Sequence, residues 1–344
     1  MLEVDGSAGE GGGQVLRTCL TLSVALGRPF RITGIRAGRP RPGLQPQHLA
    51  AVRAAAAVGA AHVEGDRLGS SWLLFEPGGH VPGEHRFEIG SAGSACLVAQ
   101  TVLPALARGS APSRIRVTGG THNRAAPPYE FLAQTFLPLV SRLGPRVTSR
   151  LERHGFEPAG GGAITVDVQP AAALGGLDLG ERGRITRRRA RAVVAGLSEA
   201  VAERELAVVA ARLGWTDEEL TIETVEADCP GNVLLLEIGS AAVTEVVTGF
   251  GRRSKPAEAV ARDAVVLAQR YLDAEVPVGG HLADQLLVPL ALADGGRFVC
   301  PPPTAHFVTN LDVVRRFLDV EVSLVALASQ RVRVEVRRRQ GSWG

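Results

Sequence analysis

Four loops of this sequence hold side chains that could handle phosphate. The first, Gly9-Glu10-Gly11-Gly12-Gly13-Gln14, precedes a helix that puts Arg17 one turn in. Glycines let backbone approach a ligand, and the free N–H groups of a helix N-terminus favour an anion. A lone carboxylate such as Glu10 opposes an anion there unless a metal sits between them. The pattern is neither a Walker A loop nor a dinucleotide-binding fingerprint, and a tight strand-to-helix turn is the plain alternative. The second loop carries Arg36, Arg39 and Arg41 among Pro40, Pro42 and Gly43, with Gln47 and His48 just beyond. Guanidinium groups pair bidentately with phosphate, and the prolines stiffen their presentation; a solvated basic loop is the alternative. The third, Pro301 to Asn310, places His306 just ahead of a helix expected at 309–318, with Thr309 or Asn310 as its N-cap. That position tends to keep an imidazole neutral, as a nucleophile requires, although capping or surface histidines also occur there. In the fourth, His281, Asp284 and Gln285 are neighbours on one helical face, either a binding face or a solvated first turn.

Composition narrows the chemistry. Of 38 basic residues in 344, one is lysine, Lys255, and the rest are arginine. Lys255 stands in Arg252-Arg-Ser-Lys-Pro-Ala, so the K-x-D-G motif of lysine-based nucleotidyl ligases is absent. A net charge of +3 and 4% aromatics do not suit a protein that coats nucleic acid, so runs such as Arg187–Arg189 and Arg337–Arg339 suggest at most local phosphate-rich partners. Hydrophobic residues at 45% indicate a globular chain. The acidic N-terminus lacks a leader pattern and no apolar run is long enough to span a membrane, so a cytoplasmic protein is expected. Cys19, Cys96, Cys229 and Cys300 are far apart, which suits buried reduced thiols rather than disulfides or a cysteine-ligated zinc.

The elements that must position these loops recur. Three times a glycine-rich loop opens a helix, the helix ends near glycine, and a strand follows: helices at 14–26, from Gly93 to 107, and 281–292. The first shows one apolar stripe, Val15, Cys19, Leu22 and Leu26. Gln100-Thr-Val-Leu-Pro104 matches Gln285-Leu-Leu-Val-Pro289. Each unit has a second helix, beginning near Pro46, Tyr129 and Thr309, the middle one running to Leu143. The expected fold is α+β: three tandem repeats of a two-helix, four-stranded-sheet unit plus one smaller inserted α/β domain. Residues 1–179 and 275–344 would form the large catalytic domain, and 180–274 the insert, with helices at 198–213 and 256–272.

The residues taken together resemble the RNA 3′-terminal phosphate cyclases. The matches include Asp5-Gly6 with Gly9–Gln14 and Arg17, Ile35–Arg39, Pro42–Leu44 with Gln47-His48, Gly90–Ser94, Gln100–Leu106, Gly119–Asn123 and Ala126–Pro128. They continue through Arg153–Gly162, Leu179–Gly183, Ala202–Glu205, Leu282–Leu286, and His306 with Thr309-Asn310, over nearly the whole chain. The resemblance implies ATP-dependent cyclisation of RNA 3′-phosphate ends through a covalent histidine–AMP and an RNA(3′)pp(5′)A intermediate. His306 matches the nucleophile. Glu10 matches a residue near the nucleotide and a divalent cation, Mg²⁺ or Mn²⁺. Gln14, Arg17, Arg36, Arg39, Gln47, His48 and Gln100 match the phosphate- and RNA-facing pocket; Gln100, Pro127, His281, Asp284 and Gln285 match the nucleotide site. His281 stands where the family often has an aromatic residue, and Phe250 is a candidate adenine contact. ATP and RNA are the implied partners, no membrane is, and a homodimer is a candidate assembly. The rival on this resemblance is a non-catalytic RNA-processing or ribosome-assembly factor, which would lack the histidine. Enolpyruvate transferases share the arginine-rich loops but not Arg153–Gly162 or Leu282–Leu286.

Overall fold

The computed structural model describes residues 1–328 and 330–338. Arg339 and the end of the expected 275–344 segment lie outside the described residues. The chain is mixed α+β. It runs β1 (Leu2–Asp5), α1 (Gly13–Leu26), β2 (Phe30–Thr33), α2 (Pro46–Gly59), β3 (His62–Glu64) and β4 (Leu73–Glu76). It continues with β5 (Gly83–Glu88), α3 (Ala95–Ala107), β6 (Ser113–Gly119), a π-helical turn (Phe131–Phe136), α4 (Leu137–Arg142), β7 (Arg146–Arg153), β8 (Gly162–Gln169) and β9 (Leu177–Leu179). Next come β10 (Ile185–Ala195), α5 (Ala200–Leu213), β11 (Leu220–Thr224), β12 (Gly231–Ser240), β13 (Thr244–Phe250) and α6 (Ala257–Ala274). Last are α7 (Gly280–Leu292), β14 (Gly296–Cys300), α8 (Ala305–Phe317), β15 (Val320–Leu327) and β16 (Arg331–Arg338).

The strands form four-stranded sheets ordered β1-β2-β4-β3, β5-β6-β8-β7, β9-β14-β16-β15 and β11-β10-β12-β13. In each, one edge pair is parallel and the other two pairs antiparallel. β9 lies parallel to β14, and β10–β13 with α5 and α6 fall between them in sequence. One apolar cluster joins the first three sheets and their helices and takes in one face of the fourth sheet, including Val193, Val233 and Leu235; a second lies between the other face of the fourth sheet and α5 and α6.

Three local expectations change. The single stripe on α1 is too narrow: Leu16, Leu20 and Val24 are buried as well, and Leu26 is only half-buried. The cause is position, because α1 packs against α2, α3, α7 and α8 and is covered on most sides. The helix expected from Tyr129 to Leu143 opens as a π turn and becomes α-helical only at Leu137. Pro138 has no N–H to offer the carbonyl one turn back, and the wider turn relieves that conflict. Finally, α8 begins a turn earlier than the sequence suggests. Thr304 is its N-cap, its hydroxyl accepting the Phe307 N–H at 3.2 Å, so His306 lies inside the first turn and Thr309 and Asn310 are buried helix residues.

The Arg187–Arg189 run is also not an open phosphate surface. These residues lie on β10 and meet Glu237, Glu219 and Glu223 at 3.4, 2.8 and 3.4 Å. Carboxylates from neighbouring strands and a turn, far off in sequence, neutralise the run. Arg337 pairs with Glu335 at 2.8 Å. Among the described residues the cysteines are free thiols, with Cys19, Cys96 and Cys300 buried and Cys229 half-buried. No helix of the described residues is long and apolar enough to cross a membrane.

Candidate active site

The N-terminal ends of α1, α2, α7 and α8 and the middle of α3 surround a cavity of about 500 Å³. Gln14, Arg17, Arg36, Arg39, Gln47, His48, Gln100, Pro127, His281, Asp284, Gln285 and His306 all line it. Glu10 stands at its edge, with Oε2 3.9 Å from His306 Nε2 and 3.3 Å from Arg39 Nη2. Six separate stretches of sequence therefore converge on one place. Phe250, on β13, does not line the cavity. The sequence did not single out Thr18, Arg124, Phe131 or Phe136, which do, and it offered Asn310 only as a cap and a family match, not as a lining residue. Arg124 adjoins the Ala126-Pro127 segment, but the two phenylalanines look like ordinary helix-core residues until the π turn aims them at the cavity.

The first turn of α8 shows how the site is wired. Gln14 Nε2 donates to both Asp284 oxygens, at 2.6 and 2.7 Å. An ionised carboxylate only accepts, so the amide nitrogen of Gln14 must face it and the amide oxygen must face the other way. That oxygen lies 3.1 Å from His306 Nδ1. The imidazole must therefore carry its proton on Nδ1 and donate it to Gln14, leaving the Nε2 lone pair free. The His306 side chain is 51% exposed, so this lone pair is open to a substrate. Asp284 is held in turn by Asn310, whose Nδ2 donates to the Asp284 carbonyl at 3.0 Å and whose Oδ1 accepts from Thr18 at 2.6 Å. Burial raises the Asp284 carboxyl; Gln14, His306, Asn310 and Arg17 act in the opposite direction.

Cationic groups face the same space. Arg17 donates no hydrogen bond to protein among the described residues; burial lowers its guanidinium to about 10, against the pull of Asp284. Its donors are left for an anion. Arg39 donates to the Glu10 carbonyl at 2.7 Å. Arg36 has a left-handed backbone, φ 54°, a costly conformation for a side chain of this size, and donates to the carbonyls of Arg41 and Gly43. His48 accepts the Gln45 N–H on Nδ1 at 3.1 Å, capping α2. Burial first, then the charges of Arg17 and Arg36, lower it to about 3, so it is a neutral donor at neutral pH. Gly13 permits the crowding, since a Cβ there would strike the His48 ring. The matched glutamines of α3 and α7 meet: Gln100 donates to Gln285 at 2.5 Å.

For a divalent cation the site offers one carboxylate, Glu10, as both oxygens of the Asp284 carboxylate are engaged by Gln14. A single carboxylate suits Mg²⁺, which takes one or two from protein and fills its shell with waters and nucleotide phosphate oxygens.

Beneath α7 sits a buried acid. Gly279, the N-cap of α7, donates its N–H to Glu245 at 3.1 Å, and burial raises this carboxyl to about 8. The folded chain then keeps a proton that the unfolded chain sheds near 4.5. Its contribution is fully present below pH 4.5 and is lost as pH rises toward 8. Glu245→Gln should flatten that decline by an amount on the order of a few kcal/mol, read as unfolding midpoint against pH for both proteins. Parallel curves for the two would refute this.

The comparisons with known proteins agree with one another. The family described as RNA 3′-terminal phosphate cyclase matches residues 8–324. Relatives named RNA 3′-terminal phosphate cyclase occur in Ralstonia nicotianae, 49% identical over 94% of each chain, and in Ectopseudomonas mendocina, 48% identical over 98% of each. A third, from Koribacter versatilis, is 45% identical over 99% of this chain and 97% of its own.

Proposed function

The chain belongs to the RNA 3′-terminal phosphate cyclase family, and from that premise we propose that it uses ATP to convert RNA 3′-phosphate ends to 2′,3′-cyclic phosphates through a histidine–AMP intermediate. The observation that supports the route best is the contact chain Asp284–Gln14–His306, which presents a free Nε2 lone pair to the cavity. In the first step Nε2 attacks the α-phosphorus of ATP, a P–N bond forms, and pyrophosphate leaves with the P–O bond electrons. The RNA 3′-phosphate oxygen then attacks the same phosphorus and breaks the P–N bond, giving RNA(3′)pp(5′)A. The adjacent 2′-OH attacks the terminal RNA phosphorus and expels AMP. AMP is a far better leaving group than oxide, and the 2′-OH is already within bonding reach, so activation and proximity supply most of the rate.

Arg17, Arg36 and Arg39 would bear the charge that builds on the phosphate oxygens. Gln47 and His48 would hold the RNA end, Gln100, Asp284 and Gln285 the nucleotide, and Pro127 and His281 its base. The cation would be held by Glu10 and would polarise the phosphates. We read the first three sheets with their helices as three repeats of one unit, with 1–179 and 275–344 as the catalytic domain and 180–274 inserted. Residence in the cytoplasm, a role in RNA processing and a homodimeric assembly belong to the same reading.

An RNA oligonucleotide with a labelled 3′-phosphate tests the activity. With ATP and Mg²⁺ or Mn²⁺ the label should become resistant to phosphomonoesterase, and acid should restore its sensitivity. A label that stays phosphatase-sensitive would reject the proposal. Glu10→Gln should still cyclise but need roughly tenfold or more Mg²⁺ for half-maximal rate, as expected on losing a carboxylate ligand. An unchanged Mg²⁺ dependence would remove Glu10 from that role.

A further inference from the structure

Outside the cavity lies a second cluster of ligating side chains. His122, Glu130 and His154 each bring a donor atom, and these atoms lie within 4.8 Å of one another. The loop after β6 supplies His122, the residue before the π turn supplies Glu130, and the end of β7 leads to His154. We propose that these three residues bind one divalent transition-metal ion of the zinc class, at a site separate from the catalytic cavity.

Two observations carry this. The donor set, two imidazoles and one carboxylate, is what zinc takes, with a fourth position left for water. His154 Nε2 is buried and has no hydrogen-bond partner, which is rare for a buried polar atom and calls for a bound species. The surroundings complete the site. His122 Nδ1 lies 2.8 Å from Thr121 Oγ1 and can donate there, directing Nε2 at Glu130, 2.8 Å away. A hydrogen bond on the far nitrogen of a ligating histidine is the usual support for a metal.

Glu130 also reaches Arg191, at 3.6 Å, and Arg191 meets Glu223 and Glu237 at 2.7 and 3.1 Å. Arg189 and Arg187 answer those two carboxylates as well, at 3.4 Å each. Arg191 lies on β10, so Glu130 links the cluster to the fourth sheet.

The test uses the full chain stripped with EDTA and titrated with Co²⁺, followed by its visible d–d absorption. One equivalent should give the band of a four- or five-coordinate site and be displaced by Zn²⁺. Glu10→Gln should keep the band. His154→Asn, at the half-exposed edge of the cluster, should lose it while keeping the wild-type circular dichroism. X-ray absorption of the Zn²⁺-loaded wild type, which needs no variant, should show two imidazole ligands. No band on the wild type, fewer than two imidazoles, or a band kept by His154→Asn and lost by Glu10→Gln would overturn the proposal.

Discussion

His306→Ala should abolish the covalent label that ATP carrying a marked α-phosphate leaves on this protein, and should lower cyclisation by roughly a thousandfold or more. The label on the wild type should be acid-labile and base-stable, as a phosphoramidate is. The magnitude follows from what is lost. Without the imidazole the nitrogen left beside Glu10 belongs to the Arg39 guanidinium, which has no lone pair to attack with, and Lys255, the sole lysine, is ion-paired with Asp263. The histidine side chain is half-exposed and makes a single hydrogen bond, so its removal should leave the unfolding midpoint close to wild type. Label retained by His306→Ala would disprove His306 as the nucleophile. An unlabelled wild type would instead reject the covalent route as a whole.

Asp284→Asn should slow adenylylation by about 10²–10⁴-fold without moving any main-chain atom of the site. The carboxylate accepts both hydrogen bonds of the Gln14 amide and so dictates which way that amide faces. An asparagine can donate as well as accept, so the Gln14 amide gains the freedom to flip. Once flipped, it presents an N–H to His306 Nδ1, which must then accept. The ring proton moves to Nε2, and the nucleophilic lone pair is gone. Single-turnover formation of the labelled protein reads this directly. If Asp284→Asn is adenylylated at the wild-type rate, the carboxylate does not set the tautomer. ATP affinity measured alongside separates this effect from lost nucleotide binding.

Much of the site is visible in residue types and short spacings. Glycines before a helix, prolines around paired arginines, and a histidine near a helix start are local features, and local rules read them. The same holds for Gln100-Thr-Val-Leu-Pro104 and Gln285-Leu-Leu-Val-Pro289, whose glutamines meet across the cavity. Thr304 and Thr309 have the same capping chemistry, so spacing alone does not place the start of α8. Only the packing distinguishes them: Thr309 is buried, where its hydroxyl accepts the Glu10 N–H at 3.1 Å. The run of arginines on β10 is likewise answered by carboxylates that lie on other elements, which its spacing does not reveal.

By itself the sequence determined the kinds of side chain available: histidines but a single lysine, many arginines, and one carboxylate in a glycine loop. These depend on which side chains exist and how a few neighbours are spaced. The tertiary structure alone decided which proton each group carries and which groups are engaged elsewhere. Gln14 and Asp284 are 270 residues apart, yet their contact gives His306 its tautomer. Hydrogen bonding and burial act through space over a few ångströms, and no pattern along the chain encodes which distant residues fall within that range.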